Sequence, residues 1–307
     1  MRRMQARQKG ILFAILSSSM SISPVLFRLS LDLVNPEMTN LLQTLFASLL
    51  FLLLFVAFRK SIGIRTMTRN WKGPAMIAFF VFIGGLLFTY GIWFSGPTTA
   101  SFVIQFATVF TILSGVAFLK ERFTRVEALG VALAVVGLLT ISYTSVEIQL
   151  FSLALLLFGA ASFATSNLLS KIYVRNVDPV TLAGGRSMFI FLFFLTYSLL
   201  TGKLMLAIPA LSLVYAFFAA VTGVFLNFIL FFKSLQLIEV SVSSAITAIG
   251  PLFTALYSLL ILALIPTLTE LAGGILIITG IALLSLRKES SGEPAANVPG
   301  GVRTLRS

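Results

Sequence analysis

The sequence contains no cysteine and no histidine. The first absence excludes disulfides and thiolate nucleophiles. The second excludes imidazole metal ligands and every nucleophile that depends on a histidine base. Charge is scarce as well: 10% of the 307 residues are charged, while 58% are hydrophobic and mean hydropathy is +1.04. A soluble domain carries about 25% charged residues. So few charges cannot cover a surface that faces water, and the chain reads as an integral membrane protein. An intramembrane enzyme would need a catalytic set, and little is left from which to build one. No cofactor and no metal are expected.

What the sequence has is apolar length. Ten stretches near twenty residues recur, at 11–30, 37–58, 73–94, 98–119, 124–144, 149–171, 179–200, 211–233, 240–263 and 268–286. About twenty helical residues cross the ~30 Å hydrocarbon core. The runs are too long and too uniformly apolar for the alternation of a barrel strand, so the expected fold is all-α with ten transmembrane helices. All ten acidic residues fall in loops, in the tail or near the ends of runs, and none sits mid-span where a proton relay would place it.

The net charge of +12 is a topology signal, not a nucleic-acid surface. All but three of the 22 basic residues fall on one side of the ten runs; Arg28 and Lys203 fall on the other and Arg186 lies inside the seventh run. Basic loops face the cytoplasm, so both termini are expected there, in a multi-pass cell-membrane protein of the bacterial inner-membrane type. Residues 1–10 form a basic arm. Residues 287–307, rich in Gly, Pro and Ser, read as a disordered cytoplasmic tail. Trp71 and Trp93 fall at opposite membrane edges, where amphipathic rings anchor.

The chain repeats itself at an offset of 143 residues. Pro36 falls on Pro179, Phe46 on Phe189, Phe82 on Phe225, Ser101 on Ser244, Glu127 on Glu270, Gly130 on Gly273 and Gly137 on Gly280. Landmarks that hold one register over nearly half the chain indicate duplication. The repeats are 11–144 and 149–286. Five helices per repeat is an odd number, so the second copy enters the membrane upside down. Inverted repeats of this kind suit alternating access to a central cavity.

Ten helices in two inverted halves, with FLKERFTRVEALGVALAVVG closing the first, resemble the drug/metabolite transporter superfamily, in particular its EamA-type exporters. Glu121, Gly130, Gly137, Glu270, Gly273 and Gly280 carry the resemblance. Leu264 stands where Glu121 has its counterpart, so the second half lacks the charged knot. The resemblance implies a central cavity and export of small metabolites, with amino acids, including aromatic ones, as the narrower expectation. A drug or nucleotide-sugar carrier is the alternative, though phosphates call for several inward cations. A structural or receptor role is a third reading. The expected partners are a small-molecule metabolite and the lipid bilayer, with the protein a monomer or a homodimer.

Candidate substrate-binding residues are the polar ones inside the runs. Thr98, Ser101, Gln105 and Thr108 are spaced to share one face of a continuous fourth helix, opposite Ser244 and Thr247 in the ninth run. Ser17 and Ser21 lie beside Pro24 in the first run, Ser162 and Ser166 in the sixth, and Asn227 is an amide in the eighth. Each reads either as cavity lining or as interhelical packing. Arg186 reads as a cation snorkelling to the headgroups or as the partner of a substrate carboxylate. Gly130, Gly137, Gly273 and Gly280 suit close helix approach, within the chain or across a dimer.

The topology map is directly testable, because a chain without cysteine accepts single reporter cysteines. Thr66→Cys should react with an impermeant maleimide only in opened cells, and Thr201→Cys in intact cells. Labelling of position 66 in intact cells contradicts the map.

Overall fold

A computed structural model describes residues 2–57, 71–119, 124–142, 147–173, 179–235, 237–238, 243 and 246–285. Every regular element among them is helical. They are α1 (Arg2–Ser19), α2 (Ser23–Leu31), α3 (Pro36–Ala57), α4 (Lys72–Val103), α5 (Phe106–Leu119), α6 (Arg125–Ser142), α7 (Glu147–Tyr173), α8 (Pro179–Leu200), α9 (Ala210–Ala219), a π-helical stretch (Ala220–Leu226), α10 (Asn227–Leu235), α11 (Gly250–Leu262) and α12 (Leu268–Ser285). Seven stretches are long and apolar enough to cross a membrane, and α11 and most of α12 add two shorter apolar helices. The Lys120-Glu121-Arg122 knot lies outside the described residues.

Unlike a soluble protein, the bundle is apolar on its outer surface as well as in its core, and it buries many small polar residues. Large apolar side chains such as Leu53, Phe158 and Leu260 point outward, whereas Ser30, Thr39, Ser152, Ser212 and Ser258 are buried. With lipid outside there is no hydrophobic force between helices. Small residues and interhelical hydrogen bonds set the packing instead.

Several apolar runs are not continuous helices. The first is interrupted at Met20–Ile22, so that Pro24 stands in the first turn of α2, where a missing N–H costs nothing. At Gly96, φ is 80° and ψ 166°, a conformation suited to glycine, and the chain turns there from the third run into the fourth. The fourth run breaks at Ile104–Gln105, and the ninth is interrupted at Ala248–Ile249. The eighth run passes through the π-helical stretch. The fourth helix is therefore not the continuous rod on which Thr98, Ser101, Gln105 and Thr108 share a face. Thr98 and Ser101 lie before the break, Gln105 at it and Thr108 beyond it.

Helices α6 and α12 pack backbone to backbone. A Cβ on Gly130 would stand 2.7 Å from the Gly280 carbonyl oxygen, and one on Gly137 2.4 Å from that of Gly273. Numbers rise along one helix as they fall along the other, so the two run antiparallel. This glycine face is occupied within the chain and is not a free dimer face. Both helices open with the same capping box. Thr124 N and Oγ1 donate to Glu127 Oε2 at 2.7 and 2.8 Å, and Thr267 N and Oγ1 to Glu270 Oε2 at 2.8 and 3.1 Å. Glu270 also accepts from Thr99, joining α12 to the end of α4.

A methyl at Gly137 has nowhere to go except by separating the two backbones. Gly137→Ala should destabilise the protein by about 1–3 kcal/mol, read as a lower melting temperature in detergent. The half-exposed neighbour Val136, replaced by Ala, should leave the melt nearly unchanged.

Candidate functional site

The break in the first run frees backbone carbonyls in a region where water is not available to satisfy them. The second half of the chain supplies the donors. Asn227 Nδ2 donates to the Ser17 carbonyl at 3.2 Å, the Tyr257 hydroxyl to that of Ser19 at 2.8 Å, and Thr254 Oγ1 to that of Ser21 at 2.7 Å. In return, Ser18 Oγ lies 3.0 and 3.2 Å from the carbonyls of Ile246 and Thr247, just before the interruption of the ninth run. Gln105, at the break in the fourth run, donates from Nε2 to the Ala248 carbonyl at 3.3 Å. Ala248 is its own counterpart at the 143-residue offset, so the two breaks meet.

Around these breaks lies a cavity of about 410 Å³, within the range of small-molecule sites. Its walls come from both halves in matching positions. Gln43 and Arg186, Thr44 and Ser187, and Val81 and Val224 all line it, each pair separated by the same offset of 143 residues. Gly223 and Val224 belong to the π-helical stretch, an irregularity often found at functional sites. Two polar atoms on the wall are buried without a hydrogen-bond partner among the described residues: Arg186 Nε and Ser101 Oγ.

Of the residues expected from the sequence, Ser21, Ser101, Gln105, Asn227, Thr247 and Arg186 line this cavity. Ser17 stands just behind the wall, its hydroxyl 3.2 Å from Asn227 Oδ1. Thr98 and Ser166 are buried away from it, Thr108 and Ser162 are half-buried outside it, and Ser244 lies outside the described residues. On α7 the lining residue is Phe163 instead. Arg186 does not snorkel, since its Nε is sealed from solvent on the cavity wall.

Asn40, Gln43 and Thr44 on α3 and Thr254 on α11 also line the cavity and were not among the expected residues. A signal existed for two of them. Gln43 is the repeat counterpart of Arg186, and Thr44 that of Ser187.

One turn beyond Asn40, at the end of the bundle away from the N-terminus, the fully buried Glu37 accepts from Lys203 Nζ at 2.9 Å and from the Tyr90 hydroxyl at 2.7 Å. Asn35 reinforces the contact, its Nδ2 lying 2.9 Å from the Lys203 carbonyl. These bonds tie α3 to the loop after α8. The hydrogen bonds that Lys203 donates to Glu37 and Tyr90, with the attraction of Glu37, hold its ammonium above its ordinary pKa.

The model of the EamA-like transporter family matches the chain twice, over residues 8–143 and 150–286. An uncharacterized transporter of Methanothermobacter thermautotrophicus is 26% identical over 208 residues, covering 66% of this chain and 60% of its own. The uncharacterized transporter YetK of Bacillus subtilis is 22% identical over 290 residues, covering 90% and 87%. A protein of known crystal structure superposes with a TM-score of 0.66 at 12% identity, over 91% of this chain and 97% of its own. That likeness speaks for the fold alone.

The Glu37–Lys203 pair predicts a modest stability effect. Lys203 is 44% exposed, so solvent screening trims its worth, and Lys203→Met should cost on the order of 1 kcal/mol. A lysine whose folded pKa is raised contributes fully below its unfolded pKa and loses that contribution as pH rises through the folded value. The melting difference between wild type and variant should therefore be flat from about pH 6 to about pH 9 on the lysine side of the pair. A gap that closes within that window contradicts the assignment.

Proposed function

The chain belongs to the EamA-like transporter family, and from that premise we propose that it carries amino acids or similar small metabolites across the cell membrane by alternating access at the central cavity. It is a membrane transporter and not an enzyme. The observation that carries the proposal is the cavity itself: it lies where broken helices of both halves meet, and two of its wall atoms are buried polar groups with no partner among the described residues. Broken helices at a repeat interface are the usual seat of a transported solute.

In this reading the chain makes ten spans as two inverted five-helix repeats, 11–144 and 149–286, with both termini in the cytoplasm of a bacterial-type inner membrane. The antiparallel, reciprocal contact of α6 and α12 supports the inversion, since Gly130 meets the counterpart of Gly137 and Gly137 meets the counterpart of Gly130. The lining pairs at one constant offset support a pseudo-two-fold axis through the cavity. The Glu37–Lys203–Tyr90 cluster then closes the outer end, and alternation requires it to open.

Gln105 tests the site. Its amide offers both donor and acceptor at the meeting of the two breaks. Gln105→Leu should weaken substrate binding by about 10- to 150-fold, measured by uptake of a metabolite panel into liposomes and by binding to purified protein. The lost bond to Ala248 should lower the melt only slightly, by about 0.5–1.5 kcal/mol. If affinity holds while stability falls sharply, Gln105 is a packing residue and the cavity is not the site.

A further inference from the structure

Among the described residues, Arg186 is the one on the cavity wall that carries a formal charge, and it has no ion-pair partner there. A lone cation at this depth is expensive to keep. Its counterpart in the first half, Gln43, is neutral and directs its Nε2 to Ser23 Oγ and the Ala219 carbonyl, both at 3.3 Å. The field in the cavity is therefore positive and one-sided.

The other groups on the wall narrow the ligand further. Ser101 Oγ is buried and has no partner among the described residues. Phe27, Phe88, Phe163 and Phe194 supply aromatic surface. Among the described residues no carboxylate lines the cavity. The carbonyls freed in the first run, the natural seat for an ammonium group, are already taken by Asn227, Tyr257 and Thr254. An ammonium would meet only neutral dipoles beside a fixed cation.

Building on the transport reading, we infer that the substrate is an organic monocarboxylate with an apolar or aromatic body, held by the Arg186 guanidinium with Ser101 as a second contact, and that an α-amino group is not required. One cation matches one carboxylate, and the guanidinium fork fits its two oxygens. A zwitterionic amino acid enters this class through its carboxylate, and its deaminated analogue should bind as well or better.

Three probes of common shape separate the charges: 3-phenylpropionate, phenylalanine and phenethylamine. Binding to purified wild-type protein should rank the acid at or above the zwitterion, with the amine last. Arg186→Gln should weaken the acid by about 10- to 150-fold, and Arg186→Lys less, since charge survives without the fork. Removing an unpaired buried charge should leave the variant at least as thermostable as wild type, so its loss of binding is not read as misfolding. An unchanged affinity for the acid in Arg186→Gln, preference for the amine, or binding of none of the three overturns the assignment. Sodium chloride is the small-anion control, and protection by chloride equal to that by the acid gives Arg186 to a counter-ion and also overturns it. Liposome counterflow keeps the two readings apart. Binding of the acid without its movement across the vesicle wall defeats transport but not recognition, whereas flux indifferent to Arg186→Gln defeats recognition but not transport.

Discussion

The structure depends on one constraint: a backbone carbonyl released from its helix inside hydrocarbon must find a donor in the protein. The first run breaks at Met20–Ile22, and its carbonyls are met by Asn227, Tyr257 and Thr254, all from the second half of the chain. The same bonds fix the interrupted ninth run beside the first and bring Gln105 against Ala248. One set of hydrogen bonds thus holds the broken runs of the two halves together around the cavity. A water-soluble protein could leave such groups to solvent; here the need to satisfy them draws these broken runs into contact.

The glycines do complementary work elsewhere in the bundle. Gly130, Gly137, Gly273 and Gly280 bring two helices so close that a methyl group would strike a carbonyl. Gly84 and Gly159 do the same, less tightly, between α4 and α7, where a Cβ on either would lie 3.1 or 3.3 Å from the other's carbonyl oxygen. Close contact in these places is gained through dispersion and backbone approach, because lipid tails are as apolar as leucine and leave no hydrophobic force to use. The small residues gather at those contacts. Bulky ones such as Phe102, Ile92, Leu156 and Ile277 fill the space between helices, and others line the cavity or face outward.

Duplication gives the cavity matched walls, and substitution since then has made them unequal. Val81 and Val224 remain the same residue and Thr44 and Ser187 the same kind, but Gln43 stands opposite a cation in Arg186. A symmetric frame suits exchange between two conformations. In the inference drawn above, the one charge on the described wall selects the ligand. Among the described residues no acidic side chain lines the wall: Glu37 sits in its pair with Lys203, and Glu127 and Glu270 in capping boxes at helix starts.

Membrane character, helicity and the repeat were legible in the sequence, because hydropathy and the need to satisfy the backbone leave few alternatives for long apolar runs. The register of 143 residues also held the counterparts Gln43 and Thr44 of two wall residues, although polar residues on the fourth run drew attention first. Those on that run illustrate the limit. Their spacing implied one face of one helix, but the chain breaks at Ile104–Gln105, and only Ser101 and Gln105 of the four reach the cavity. Likewise, the distance of Arg186 from the end of its run suggested a side chain reaching the headgroups, while the packing of α8 turns it inward. The sequence by itself determined that this is a duplicated, helical membrane protein, since those properties sum over many residues. Only the tertiary structure decided where helices break and which polar groups face the cavity, because the bonds that hold the breaks, such as Gln105 to Ala248 and Asn227 to Ser17, join residues more than a hundred positions apart.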